Sequence, residues 1–132
     1  MRAANKTSVK TRVTLTTGTV DDFFARSRAR ARRLDRGEKI RPEVTVVFED
    51  PSDLIQVLST ERIRVLYAVR ANPIPVSQLA IDLKRDRQAV RRDVRLLESF
   101  GLLKTREVPN PGHGRKRMVT PLAARYRLVA NI

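Results

Sequence analysis

The chain has 132 residues and carries 28 lysines and arginines against 14 aspartates and glutamates, a formal net charge of +14. This length fits one domain, or a small domain with an extension, and a hydrophobic content of 41% argues against wholesale disorder. Such a charge favours a polyanionic partner, with nucleic acid first and an anionic membrane surface second. Cysteine is absent, which excludes disulfides, thiolate metal sites and thiol nucleophiles.

Catalytic and membrane functions find no support in the sequence. His113 is the single histidine, which argues against a zinc site or a histidine-based triad. Paired carboxylates, a glycine-rich phosphate loop and a nucleophile constellation are also missing. No stretch is long and apolar enough to span a bilayer, and residues 1–10 lack the apolar centre of a signal peptide. We therefore expect a cytoplasmic non-enzyme with no catalytic, metal or cofactor-binding residues and no membrane partner.

The N-terminal third predicts a strand-helix-strand unit over residues 8–49. Residues 8–15 alternate apolar and polar side chains, which is typical of a half-buried strand, and residues 16–18 suit a turn. Residues 43–49 are rich in β-branched side chains and predict a second strand. The unit is too small to be readily stable on its own, so we expect it to serve as an extension for dimerisation or partner binding.

The helix between these strands has clear end signals. Thr19 with Asp22 three residues on is a capping-box arrangement, and the helix should run to about Asp35 and stop at Gly37. Arginines crowd its outer face and its C-terminal end, where the helix dipole favours cations. Its apolar face consists of Val20, Phe23, Phe24, Ala31 and Leu34. We assign the two phenylalanines to the core, although such a face on a basic helix also suits docking of an acidic partner.

Two short helices are expected before residue 72. Asp50 and Pro51 start the first, because proline costs little where an amide proton is unbonded anyway. Residues 59–60 break this helix or cap a second one, and residues 73–75 should be extended. The first helix carries the apolar residues Leu54, Ile55 and Leu58. On the second we expect Ile63, Leu66 and Val69 to face the core, with Tyr67 as a further candidate.

Residues 76–101 predict a helix-turn-helix. Residues 84–87 form a polar break in which Asp86 can cap the second helix, and Gly101 can end it in a left-handed conformation. Apolar residues recur at steps of three or four: Leu79, Ala80 and Leu83 on the first helix, and Val90, Val94, Leu97 and Phe100 on the second.

The outer face of the second helix indicates DNA binding. With its apolar residues inward, about 100° per residue turns one amide and three arginines outward: Gln88, Arg91, Arg92 and Arg95. A basic, amide-bearing helix face is what reading of the major groove needs. The alternative is an ordinary helical hairpin with a solvated basic face. We favour DNA binding, with a recognition helix at about 86–100, because the following segment also fits it.

That following segment predicts a wing. Residues 102–108 alternate like a strand, residues 109–114 are too rich in proline and glycine for regular structure, and residues 115–120 fit the returning strand. The basic part of the wing is residues 109–117, and its cations, His113, Arg115, Lys116 and Arg117, suit phosphate or minor-groove contact. A flexible hairpin with solvated cations is the alternative. Residues 123–132 alternate weakly and predict a final strand.

Residues 44–120 resemble the winged helix-turn-helix of MarR-like predicted DNA-binding proteins common in archaea and bacteria. The resemblance is carried by FEDPSDLIQVLSTERIRVLYAVRANP (48–73), VSQLAIDLKRDRQAVRRDVRLLESFGLL (76–103) and the wing. Members of that group often resemble antitoxins encoded beside small toxins of the Tum type. The resemblance implies a transcriptional regulator and, more distantly, an antitoxin that represses its own operon.

We therefore expect an α+β chain with a strand-helix-strand extension over 1–49 and a winged helix-turn-helix DNA-binding domain over 50–132. Its partner is double-stranded DNA, with bases read by Gln88, Arg91 and Arg92. The remaining DNA-binding residues are Ser77, Arg85, Arg87, Arg95 and the wing cations His113, Arg115, Lys116 and Arg117. Two alternatives stay open: an antitoxin that neutralises a toxin by protein contact, and an RNA- or ribosome-binding protein. Aromatics are only 5%, which argues against single-stranded RNA.

A homodimer is also expected, because helix-turn-helix proteins usually bind palindromes as two-fold dimers. The strand at residues 8–15 is the best candidate for the dimer surface, since an unpaired edge strand tends to recruit a partner. If it pairs instead with residues 43–49 of its own chain, this surface is lost.

Overall fold

The computed structural model describes residues 12–131, which form five helices and two three-stranded sheets. The strands are β1 (Arg12–Thr17), β2 (Glu43–Phe48), β3 (Ile74–Pro75), β4 (Leu103–Pro109), β5 (Arg115–Pro121) and β6 (Tyr126–Val129). The helices are α1 (Val20–Asp35), α2 (Pro51–Val57), α3 (Thr60–Val69), α4 (Val76–Leu83) and α5 (Arg87–Ser99). The α+β winged helix-turn-helix prediction is confirmed: α4 and α5 form the helix-turn-helix, and β4 and β5 form the wing.

The first sheet has the order β2-β1-β6, and both pairings of the central strand β1 are parallel. Strand β1 is buried from Val13 to Thr17, so the prediction of a half-buried strand is wrong for this part of it. The predicted turn at residues 16–18 is also wrong, since Thr16 and Thr17 continue the strand opposite Val47 and Phe48. Strand β1 has a neighbouring strand on each edge, and β-branched threonine fits such a strand as well as valine does.

The central place of β1 overturns the predicted dimer surface. Residues 12–15 are paired with β2 on one side, and residues 13–15 are also paired with β6 on the other. A strand with two neighbours offers no free edge to a second copy. Residues 8–11 of the predicted strand lie outside the described residues.

Strand β6 confirms the predicted C-terminal strand over Tyr126–Val129, but it joins the N-terminal sheet. The expected domain boundary at residue 50 assigns this strand to the C-terminal domain, whereas it pairs with β1 in the N-terminal sheet. The Tyr126 hydroxyl donates to the Leu102 carbonyl at 2.7 Å and accepts from the Leu122 amide at 3.0 Å. Burial raises the pKa of Tyr126. The ring therefore joins the first sheet to the segment that follows the helix-turn-helix.

Helix α1 begins as predicted, with a complete capping box. The Asp22 amide donates to Thr19 Oγ1 at 3.1 Å, and the Thr19 amide donates to Asp22 Oδ2 at 3.0 Å. Hydrogen bonds from the Thr19 backbone and side chain hold the pKa of Asp22 below its ordinary value. Gly37 follows the helix with φ +81°, a left-handed conformation that glycine adopts without steric cost.

The assignment of Phe23 and Phe24 to the core is wrong. The two rings are 39% and 51% exposed, and no residue of α1 is buried. The reason lies in the sheet: its apolar face, with Val13 and Leu15, belongs to the core under the helix-turn-helix. On the opposite face the central strand β1 carries only polar side chains, Arg12, Thr14 and Thr16, so β1 gives the helix no apolar surface on which to pack.

The core lies between the first sheet and the helical domain. Asp50 caps α2 with Pro51 in its first turn, and Ser59 caps α3, both as predicted. Leu54, Leu58, Leu66 and Val69 are buried as the pattern predicts. The inward assignment of Ile63 and Tyr67 is wrong, because these side chains are 40% and 67% exposed, and Ile55 is 64% exposed. Val65 is fully buried instead. No described helix is long and apolar enough to cross a membrane.

Candidate nucleic-acid interface

The second helix of the helix-turn-helix, α5, is set against the core by its local sequence. Asp86 caps it as predicted, its Oδ2 accepting from the Gln88 amide at 3.0 Å and the Ala89 amide at 3.2 Å. The apolar residues Val90, Val94 and Leu97 are buried, and Gly101 ends the element with φ +75°. The apolar periodicity therefore fixes which face of α5 reaches solvent.

A buried carboxylate forms a clamp under this helix. Asp93 Oδ1 accepts from Arg62 Nε at 3.1 Å, and Asp93 Oδ2 accepts from Arg85 Nη1 at 2.8 Å. Arg62 Nη1 also donates to the Gln56 carbonyl at 2.7 Å. The clamp joins the end of α2, the start of α3, the turn before α5 and α5 itself. It fixes the angle at which α5 leaves the domain.

The clamp changes the role that the sequence-based interpretation gave to Arg85. Its acceptor Asp93 has a side chain that is only 11% exposed. Arg85 was expected to contact DNA, but its side chain is 17% exposed and is bonded to Asp93. The structure thus gives Arg85 a positioning role. The sequence carried a signal: Asp93 falls on the same side of α5 as Val90, Val94 and Leu97, where a carboxylate needs a cationic partner.

The solvent face of α5 is cationic. Its long polar side chains are exposed and form no salt bridge within residues 12–131: Arg87, Gln88, Arg91, Arg92 and Arg95. At about 100° per residue, Gln88, Arg92 and Arg95 lie opposite the buried side, and Arg91 and Arg87 lie along one edge. The structure thus brings the predicted base-reading residues together on one accessible face.

The wing is tied to the end of α5. Glu98 accepts from the Thr105 amide and hydroxyl of β4 at 3.0 Å and 2.9 Å. The Thr105 hydroxyl also accepts from Arg117 Nη1 at 3.0 Å. This chain of bonds fixes the orientation of the hairpin relative to α5.

The predicted wing cations are not equivalent. Arg115 and Arg117 both bond Glu107, at 3.3 Å and 3.1 Å, and so share one carboxylate. His113 lies exposed in the tip. The other face of the hairpin carries cations that the sequence-based interpretation did not select, although they alternate along β4. These are Lys104 and Arg106, both exposed, which share that face with Lys116.

Ser77 lies in the first turn of α4, half-buried. Pro75 precedes this helix and makes no side-chain capping bond. The first amides of α4 are therefore not occupied by a side-chain cap, and such amides suit a phosphate when a strand of DNA passes the helix end.

Comparison with protein families places the domain. The model of the HVO_A0114 family matches residues 57–124, just over half of the chain, from the end of α2 through the wing and β5. The chain belongs to the HVO_A0114 family. No curated protein matches the sequence of this HVO_A0114 member.

Solved structures of low sequence identity resemble parts of this family member. One is a possible transcriptional regulator from Methanosarcina mazei, with 21% identity and a TM-score of 0.47; the match covers 55% of this chain and 63% of that one, less than two thirds of its length. A transcriptional regulator homologue from Pyrococcus horikoshii matches at 19% identity and a TM-score of 0.41, over 53% and 75% of the two chains. HlyU from Vibrio cholerae matches at 22% identity and a TM-score of 0.42, over 56% and 80%.

Proposed function

We propose that this protein is a transcriptional regulator that binds double-stranded DNA in a sequence-specific manner through α5 and the wing. One observation carries the proposal: every carboxylate on α5 or capping it is bonded away from its solvent face. Asp86 caps the helix, Asp93 is clamped between two arginines, and Glu98 holds the wing. What remains on the outer face is one amide and four arginines without a salt bridge among the described residues, a surface that suits the major groove.

The positions of these side chains support two different roles, contact with bases and contact with phosphates. Gln88, Arg91 and Arg92 lie in the first half of α5, the part of a recognition helix that reaches base edges. Arginine can bind guanine N7 and O6 with two hydrogen bonds, and glutamine can bind adenine in the same way. Arg87, Arg95, Ser77 and the wing cations would hold phosphates and fix the register.

We also propose that the protein binds as a two-fold dimer, because one recognition helix offers few base contacts and half-sites about one helical turn apart are typical of such proteins. The dimer surface has to lie outside β1, whose two edges are occupied. Light scattering of the full chain with and without an operator duplex would test this proposal. A single copy on a palindromic operator would contradict it.

The role of an autoregulating antitoxin is a finer proposal that is supported only by the resemblance of residues 44–120. Co-purification with the product of the neighbouring gene would test it, and the DNA-binding proposal is independent of that result. Binding of RNA or the ribosome draws support from the net charge alone.

The function is tested by selecting duplexes from a random pool with the full chain. Affinity for a selected duplex is then compared with affinity for a shuffled duplex and for RNA of the same sequence. We expect the selected duplex to bind at least about a thousandfold more tightly than the shuffled one at physiological salt. Equal affinity for all three polyanions would contradict the proposal, because the affinity would then depend on charge alone.

A further inference from the structure

Helix α1 carries an apolar stripe whose large side chains are exposed. Its 16 residues make it about 24 Å long at 1.5 Å per residue. All of them are exposed except Arg30, which is half-buried and donates from Nη2 to the Arg41 carbonyl at 2.8 Å. A cleft of about 950 Å³, lined by Phe23, Arg12, Thr45 and their neighbours, separates the helix from the sheet.

The stripe has the spacing of a helix-packing seam. Its positions follow one another at steps of four and three residues, as at the a and d positions of a heptad: Val20, Phe24, Ser27, Ala31 and Leu34. The three large side chains of this set are 53%, 51% and 54% exposed, and Phe23 widens the stripe beside Phe24. A helix of this length without tertiary packing is marginal in water. A second helix laid along the stripe would bury it and stabilise α1.

The charges around the stripe define the chemistry of that second helix. Glu38 pairs with Arg33 and Arg36, at 3.0 Å and 2.8 Å, and the pKa of Glu38 lies below its usual range because of hydrogen bonds from these two arginines. Arg30 lies 4.0 Å from a carboxylate oxygen of Glu43. Three further arginines of the helix, Arg26, Arg28 and Arg32, form no salt bridge among the described residues. Such a surface attracts aspartate and glutamate and repels cations.

We propose that α1 is a docking surface for an acidic amphipathic helix of a partner protein, which lays its apolar residues along the stripe and its carboxylates against the arginines. The stripe runs the whole length of α1 with helical spacing, so a helix matches it better than an extended segment does. This binding is separate from DNA binding, because α1 contributes nothing to the face of α5.

The observations disfavour two other occupants. A second copy would bring its own arginines against Arg26 and Arg28 at the middle of the helix. A nucleic acid would leave Val20 and Leu34 without a use, since stacking needs a ring. The rings of Phe23 and Phe24 meet edge to face at 70°, with centroids 5.6 Å apart, and so do not form a flat platform.

The test uses the full chain and a fluorescent synthetic peptide of three heptads, with leucine at the a and d positions and glutamate beside them. A scrambled peptide of the same composition and labelled poly(U) RNA serve as competing probes. The test variant carries Phe24→Ser and Leu34→Ser. The matched control is Ile55→Ser, since Ile55 is 64% exposed on α2. Circular dichroism and binding to a selected duplex verify that each variant is folded.

We expect the ordered peptide to bind the full chain and the Ile55→Ser control with the same affinity. The double variant should bind it about tenfold or more weakly, because apolar burial is lost. Arg26→Glu with Arg28→Glu should also weaken binding. Arg64→Glu should not, since Arg64 is exposed on α3, away from the stripe. Equal binding of the scrambled peptide, or no effect of the double variant, overturns the proposal. A larger loss for poly(U) than for peptide assigns the surface to nucleic acid. A dimer of the full chain that the double variant dissociates assigns it to a second copy; each of these results also overturns the proposal.

Discussion

Asp93 holds α5 to the rest of the described chain through ion pairs with two arginines. It lies between two arginines from different parts of the chain, and each of its oxygens accepts a hydrogen bond at 3.1 Å or less. A carboxylate on the apolar side of a helix costs desolvation, which its partners offset when all three groups are present. Arg62 and Arg85 would lose their common acceptor if the carboxylate were removed.

We expect Asp93→Ala to lower the free energy of unfolding by about 2–4 kcal/mol, because two largely buried guanidinium groups lose their partner. Urea unfolding followed by circular dichroism measures the change. The matched control is Asp82→Ala, which removes an exposed carboxylate that accepts from Gln78 and should change stability by about 0.5 kcal/mol or less. Equal effects of the two substitutions would show that the clamp is not structural.

Tyr126 offers a second test at the scale of one side chain. Tyr126→Phe leaves the Leu102 carbonyl and the Leu122 amide without their hydroxyl partner and should cost about 1–3 kcal/mol. Tyr67→Phe is the control, because Tyr67 is 67% exposed and contacts Arg70 through its ring. Loss of equal stability in the two variants would contradict the role given to the Tyr126 hydroxyl.

The same residue predicts a pH dependence. Burial raises the folded pKa of Tyr126 above its unfolded value, so the folded state binds the proton more tightly. This contribution to stability is complete below the unfolded tyrosine pKa of about 10 and is lost as the pH rises through the folded pKa. Urea unfolding of the wild type between about pH 8 and pH 11, set beside Tyr126→Phe, should show a steeper alkaline loss of stability in the wild type. Parallel curves for the two proteins would refute this expectation.

At the scale of elements, what is local in the sequence could be predicted and what is remote could not. The helix-turn-helix follows from caps and apolar spacing within 76–101, and the wing follows from the turn residues between two alternating segments. The place of β1 depends on pairing with β6, more than a hundred residues away, which no local pattern contains. The pattern of α1 predicts a helix with one apolar face but does not say what covers that face, so the core assignment of its phenylalanines was wrong. Arg85 was predicted to contact DNA because of its charge. Its ion pair with Asp93 could be recognised only from the structure.

The wing as an element is tested by salt dependence. Replacing Arg115, Lys116 and Arg117 with alanine should weaken binding to all duplexes about equally. It should also lower the slope of log affinity against log salt by about 0.9 for each phosphate that the variant no longer neutralises. Fluorescence anisotropy at several salt concentrations measures the slope, and Arg64→Ala is the control for charge alone. An unchanged slope would show that these three wing residues do not contact DNA phosphates.

For the whole molecule, the first sheet joins both ends of the described chain next to the helix-turn-helix. β1 from the N-terminal part lies between β2 and the C-terminal strand β6, and the Asn131 amide donates to Thr17 Oγ1 at 2.7 Å. The buried side of α5 shares one core with Val13 and Leu15 of this sheet, and no residue of α1 belongs to that core. The proposed DNA surface and the proposed protein surface are thus separate, and substitutions in one should leave the other intact.

The central claim is that the outer face of α5 reads DNA sequence. The most direct measurement compares the wild type, Arg91→Ala with Arg92→Ala, and Arg64→Ala on a selected duplex and on a shuffled duplex at one salt concentration. We predict that the double variant loses about 1–3 kcal/mol per base-contacting arginine on the selected duplex, loses much less on the shuffled one, and that Arg64→Ala changes neither. Equal losses on both duplexes would make these arginines phosphate contacts, and no loss on either would contradict the claim.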